Sequence, residues 1–275
     1  MAEKTSDTLD LRRAPPILHS MTQTALIVAH GAPADPAPAQ VALEALATTV
    51  AGLLPGWRIA GATLAAPDAL EEALAACPGA LIYPFFMAEG WFTRTALPRR
   101  LTAAGATGLH QLPAFGTDPR LTDLVARAAL QGAEAAGLTP KTTTLLLAAH
   151  GGKASPASAQ ATQALAARLA QRGDFAAIRV GFLEQEPFLA DAARGLGAAL
   201  CLPLFALRAG HLARDVPQAL RDAGFTCPLL PAIGEHPDTP ALIARALGAV
   251  QLPGRKALQS AGSVSILEAP SRSRQ

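Results

Sequence analysis

The sequence predicts an α/β protein of two similar lobes, each a parallel sheet flanked by helices. The first observation is internal repetition. TALIVAHGAPADP is answered by TTLLLAAHGGKASP, which sets His30 and His150 120 residues apart. PFFMAEGWFTRTALPRRLTAAG is answered by PLFALRAGHLARDVPQALRDAG, where Pro84/Pro203, Pro98/Pro217 and Gly105/Gly224 are each 119 apart. LPAFGTDP is answered by LPAIGEHP at an offset of 118. An offset that drifts by two residues over so long a stretch marks a duplicated unit. The second observation is that each unit alternates strand-like and helix-like segments, the pattern of βαβ crossovers and a parallel sheet covered on both faces. The third is composition. Hydrophobic residues make up 50% and charged residues 16%, enough for a sizeable core, but aromatics are only 4%. Ala, Leu and Val must therefore do most of the packing.

The elements follow in order. Residues 24–29 form a short apolar run, strand-like, ending at His30-Gly31. Residues 41–54 have helical periodicity, 58–64 are strand-like and 67–76 helical. A buried strand is expected at 80–86, a helix at 97–104, a strand at 109–115 and a helix at 121–136. The lobes are expected at 21–138 and 139–250. Residues 1–20 read as an unstructured leader, with Met21 an alternative start, and 251–275 as a weakly patterned tail.

Twenty-three Lys+Arg against 21 Asp+Glu give a net charge of +2. That balance excludes a general nucleic-acid binder or membrane-surface binder. No apolar run reaches the ~18 residues of a membrane helix; the run 198–207 is short and interrupted by Pro203. The first 20 residues lack the apolar region of a secretory signal. Cys77, Cys201 and Cys227 are odd in number, widely spaced and without C-x-x-C. This argues against a disulfide framework or zinc knuckle and for a reduced, cytoplasmic compartment. Their expected state is burial as small apolar residues. One chain supplies both lobes, so a monomer is expected and a homodimer stays open.

In parallel α/β sheets ligands gather at the carboxyl ends of the strands or between domains. In the second unit, three consecutive strand ends carry His150, then Glu184 and Glu186, then His211. Two imidazoles and a carboxylate form a borderline ligand set for a divalent transition metal, with coordination positions left open. The first unit keeps His30 but has Trp91 or Phe92 where the second has His211, and Leu64 and Ala66 at the positions of Glu184 and Glu186. Its extra acid, Glu89, could hold metal, accept a proton or stand as a solvated charge. Arg94, Arg99, Arg100, Lys153, Arg208 and Arg214 cluster around the same loops. As a group they suit a polycarboxylate; singly, each reads as surface charge. Trp91 is the candidate to touch a flat ligand.

Competing motifs are incomplete. The His-Gly pairs invite comparison with histidine phosphatases, but the Arg that clamps phosphate there is replaced by Ala29 and Ala149. Gly151-Gly152-Lys153 resembles the end of a P-loop, yet Leu147 stands at the first glycine and Ala154 at the Ser/Thr, so no nucleotide is expected. No G-x-S-x-G serine elbow occurs.

The strand ending in His-Gly, the Phe-Leu-Glu before Glu-Pro, and Pro-Leu-Phe…Ala-Gly-His…Asp-Val-Pro resemble the class II tetrapyrrole chelatases of the CbiX/SirB type. The resemblance covers residues 22–250 twice over. It implies two similar α/β lobes and insertion of Co²⁺ or Fe²⁺ into sirohydrochlorin, on a cobalamin or sirohaem route, without ATP. It implies that two histidines and a glutamate bind the metal and accept pyrrole protons; by motif these are His150, His211 and Glu184. His30 matches the first-lobe His-Gly. The Trp91/Phe92 substitution departs from members that carry a second histidine there. A non-catalytic tetrapyrrole or metal binder is the alternative from another class.

Overall fold

The computed structural model describes residues 22–152, 156–207 and 214–250. The first unit runs β1 (Gln23–Ala29), α1 (Pro36–Gly52), β2 (Trp57–Thr63), α2 (Ala69–Ala76), β3 (Leu81–Pro84), α3 (Leu97–Ala103) and α4 (Leu121–Ala135). The second runs β4 (Thr144–Ala149), α5 (Ala157–Arg172), β5 (Ala177–Phe182), α6 (Leu189–Ala193), β6 (Ala199–Pro203), α7 (Val216–Asp222) and α8 (Thr239–Gly248). The strands form two three-stranded sheets, ordered β2-β1-β3 and β5-β4-β6, with every pairing parallel.

The central strands explain the apolar runs. Ala25 to Val28 are fully buried and Ala29 is 2% exposed, because β1 has a covered layer on each face. Alternate side chains point opposite ways. Ala25, Ile27 and Ala29 enter a core shared with Leu145, Leu147 and Ala149 of β4. Leu26 and Val28 face α2 and α3 in a core of their own. Leu146 and Ala148 of β4 do the same with α6 and α7. The lobes are thus joined through one common core, and each keeps a private one on its outer face.

The last helix of each repeat reaches across. Helix α4 packs against α5 and β6, and α8 packs against α1. Arg172 pairs with Asp123 at 2.7 Å, Arg127 pairs with Asp238 at 3.0 Å, and Arg168 Nε donates to Thr122 Oγ1 at 2.9 Å. His30 and His150 each follow directly on a strand residue lodged in the shared core.

Two expectations need correction. The segment 109–115 is not a strand; it makes one isolated bridge, Gln111 to Ile82, and the second lobe repeats this with Leu229 to Cys201. Pro113 and Pro228 remove backbone donors beside these bridges, so no ladder extends. Helix α1 begins at Pro36 rather than 41, with proline in its first turn, where a missing N–H costs nothing. Between β3 and α3 the chain makes a π-turn, Phe92–Ala96.

Candidate active site

In the second lobe the site begins at the end of β4. Gly151 has φ +73°, and a Cβ there would stand 2.8 Å from Gln185 Cγ and 3.0 Å from Phe182 Cβ. Glycine therefore allows the chain to turn sharply against the exit of β5. The Glu184 N–H donates to the His150 carbonyl at 3.1 Å, carrying the contact between the two chain segments one residue past the strands. Gln185 Oε1 accepts the Gly152 N–H at 2.9 Å. The outcome is His150 Nε2 3.7 Å from Glu184 Oε1, with the side chains 43% and 44% exposed. That separation is too long for a hydrogen bond. It is close to what two donors of one ion would show, since ligands ~2.0–2.1 Å from a tetrahedral centre lie about 3.4 Å apart.

The first lobe repeats the turn with other side chains. Gly31 has φ +78°, and the Ala65 N–H donates to the His30 carbonyl at 3.0 Å. Ala65 is therefore the counterpart of Glu184, and Pro67 that of Glu186, one residue beyond the Leu64 and Ala66 that the sequence repeat suggests. The reason lies in the register. Ala29 pairs with Thr63 but Ala149 with Phe182, so the second unit is one residue shorter between these strands. His30 Nδ1 donates to the Gly31 carbonyl at 2.9 Å. A carbonyl only accepts, so Nδ1 carries the proton and Nε2 presents a lone pair when the ring is neutral.

Aromatic rings gather beside His30. Phe92 meets its ring edge-on at 4.3 Å, stacks near Phe86 at 6.1 Å and touches Trp91 at 5.1 Å. Trp91 is 60% exposed. The loop repeat, ungapped from Pro84/Pro203, makes Phe92 the counterpart of His211. The first lobe thus has an apolar ring against its histidine and a methyl group where the second has a carboxylate.

Glu89 is built into the scaffold. Its Oε1 accepts the Ala114 N–H at 2.8 Å and its Oε2 accepts the Thr93 hydroxyl at 2.7 Å. Arg94 Nε stands 4.0 Å from the same carboxylate. In the second lobe the equivalent amide, Ala232 N–H, is taken by Glu235 instead, at 3.2 Å. Glu186 and Arg214 are exposed. His211, Lys153 and Arg208 lie outside the described residues. Among the described residues no three His, Cys, Asp or Glu side chains come together as a metal cluster.

Cys77 and Cys201 are buried as expected, but Cys227 is only half-buried. Burial pushes the Cys201 thiol up to about 12, so it is no nucleophile. The structure adds one polar contact that the sequence did not single out. Gln185 sits between the two acids of Glu-Gln-Glu, and only the fold reveals that it faces Gly152.

Two parallel three-stranded lobes, with histidines at the central strand ends, define the chelatase-like α/β fold. The CbiX family model matches residues 144–250. A solved CbiX, described as the terminal enzyme for biosynthesis of siroheme in denitrifying bacteria, is 49% identical. The match covers 84% of this chain and all of that one, with a TM-score of 0.78. The chain belongs to the CbiX family of class II chelatases. Two more distant structures share the fold. One is SirB from Bacillus subtilis with Fe³⁺, at TM-score 0.65 and 16% identity over 88% of this chain and 98% of that one. The other is a multi-domain Deinococcus radiodurans protein with structural similarity to chelatases, at TM-score 0.63 and 24% identity, covering 82% of this chain and 55% of that one. Comparison with curated proteins gives no match. No described helix is long and apolar enough to cross a membrane.

Proposed function

We propose that the protein inserts a divalent metal, Co²⁺ or Fe²⁺, into sirohydrochlorin or a closely related tetrapyrrole, without a nucleotide. Membership of the CbiX family supports the reaction class. The observation that carries the site is the His150–Glu184 pair, 3.7 Å apart and open to solvent. His150, Glu184 and His211 are the donors in this reading. In the first lobe, Phe92, the counterpart of His211 in the repeat, lies against His30.

The chemistry suits these groups. The macrocycle must lose two N–H protons while it gains a dication. An imidazole can present a lone pair to the metal and take a proton near neutral pH. The carboxylate lowers the net charge of the bound ion. Partial exposure keeps coordination positions open, so the ion is held loosely enough to leave. His30 lacks a carboxylate at the Ala65 position, and Glu89 has both oxygens engaged by the scaffold. We assign neither to the principal donor set, and Glu186 only an outer role. Trp91 offers an exposed ring to the flat substrate. Arg94, Lys153, Arg208 and Arg214 supply positive charge for peripheral carboxylates. Kinship with CbiX supports this reading over a histidine phosphatase.

The test is an absorbance assay with purified protein, sirohydrochlorin and Co²⁺ or Fe²⁺, with no ATP. Many turnovers per protein molecule are expected. A spectral change that stops at one equivalent would instead identify a binding protein, and strict dependence on ATP would contradict the mechanism.

A further inference from the structure

Gln185 occupies an unusual place beside the proposed donors. Its side chain leaves the β5 exit loop, crosses to the loop after β4, and accepts the Gly152 N–H at 2.9 Å. Its Cγ stands 2.8 Å from where a Cβ on Gly151 would be, so it lies against that glycine as well. The residue before Gln185 is Glu184, and the residue before Gly151 is His150. A single amide side chain therefore links the two loops that carry the donor pair. A backbone bond from the Glu184 N–H to the His150 carbonyl, at 3.1 Å, joins the same loops. The first lobe has no such link; Ala66 stands at the Gln185 place. There the β2 exit is held from α1, with Gln40 Oε1 accepting both the Thr63 N–H at 2.8 Å and the Thr63 hydroxyl at 3.0 Å.

We propose that Gln185 is a positioning residue that sets the His150–Glu184 separation for metal. The proposal rests on the reading of those two side chains as metal donors. Gln185 itself need not touch the ion. Its amide oxygen fixes the Gly152 amide, and through it the turn at Gly151 from which the imidazole projects. Groups that orient metal ligands are commonly worth ~10–100-fold in metal affinity.

The experiment measures Co²⁺ binding by the full chain, without tetrapyrrole, alongside thermal unfolding. Gln185→Ala and Gln185→Met remove the acceptor; Gln185→Glu keeps a carbonyl-like oxygen at the same reach. Alanine and methionine are expected to weaken Co²⁺ binding about tenfold with an unchanged unfolding temperature, and glutamate to restore it. Wild-type binding by Gln185→Met, in a protein whose binding is lost in His150→Ala, would overturn the positioning role and leave the donor reading standing. Wild-type binding by both His150→Ala and Glu184→Gln would overturn the donor reading and the positioning role with it. Should alanine unsettle the fold, the methionine and glutamate variants, similar in length, carry the comparison; equal binding by these two would overturn the proposal.

Discussion

The two lobes share a scaffold and differ at its business end. Each turns out of its central strand through His-Gly, with φ +78° at Gly31 and +73° at Gly151. Each has the next loop's backbone N–H on the histidine carbonyl, at 3.0 and 3.1 Å. Beyond that they part. The second lobe sets a carboxylate 3.7 Å from its imidazole. The first sets a methyl group at Ala65 and a phenyl ring whose centre is 4.3 Å from that of the imidazole. Backbone geometry survived duplication because the shared core and the tight turn demand it. Side chains at the strand ends carry no such packing duty, so they were free to diverge.

The largest expected effect breaks this asymmetry directly. His150→Ala should lower the metal-insertion rate by roughly 10²–10⁴-fold, the usual scale for losing a catalytic proton acceptor, whereas His30→Ala should lower it by less than about tenfold. Equal losses, read by absorbance with sirohydrochlorin, would mean both lobes work alike.

A second prediction rebuilds what the first lobe lacks. The double variant Ala65→Glu with Phe92→His places carboxylate and imidazole at the positions of Glu184 and His211. Titration with Co²⁺ should then show an additional bound equivalent; no gain would mean that register alone does not make a site.

Smaller effects concern the scaffold. Gly31→Ala and Gly151→Ala each force a side chain into the left-handed region and into contact. Either should cost about 1–3 kcal/mol in denaturant unfolding. The two losses should be similar, because a Cβ at Gly31 meets Thr63 Cβ at 2.8 Å and a Cβ at Gly151 meets Gln185 Cγ at 2.8 Å and Phe182 Cβ at 3.0 Å. No loss in either variant would show that these turns relax freely.

The contact between lobes is also sensitive to acid. His236 Nδ1 accepts the Asp238 N–H at 3.1 Å and its Nε2 donates to Gln131 on α4 at 3.2 Å. Burial, opposed by Asp238 and helped by Arg127, lowers its pKa below the ordinary 6.5. The folded state thus prefers neutral imidazole, and its contribution is complete above pH 6.5. It is lost as pH falls from there toward the lowered value. His236→Asn, which keeps an acceptor near Nδ1, should flatten this part of the thermal-stability profile. The smallest effect is expected for the exposed Arg172–Asp123 pair. Its removal should cost under about 1 kcal/mol.

Much of this was legible in the sequence. The repeat offsets revealed the duplication, and the continuous apolar run before each His-Gly revealed a doubly covered parallel strand. The strand-end placement of His150 and Glu184 followed. Other features were hidden because they depend on contacts between distant segments. Nothing in the pattern LHQLPAF says that two backbone bonds will replace a strand. The one-residue difference in register shows only when strands are paired. The exchange of α4 and α8 between lobes leaves no mark on either helix. The role of Glu89 stays open in the sequence because its partners, Thr93 and the Ala114 amide, converge only in the fold. Gln185 is unmarked in the sequence, because an amide between two acids carries no signal without its partner Gly152.

The donor pair of the second lobe is what a bound metal must confirm. A crystal of the full chain soaked in Co²⁺, with the ion located by its anomalous scattering, tests it most directly. A peak is expected within bonding distance of both His150 Nε2 and a Glu184 carboxylate oxygen. A peak at His30, with the second lobe empty, would contradict it.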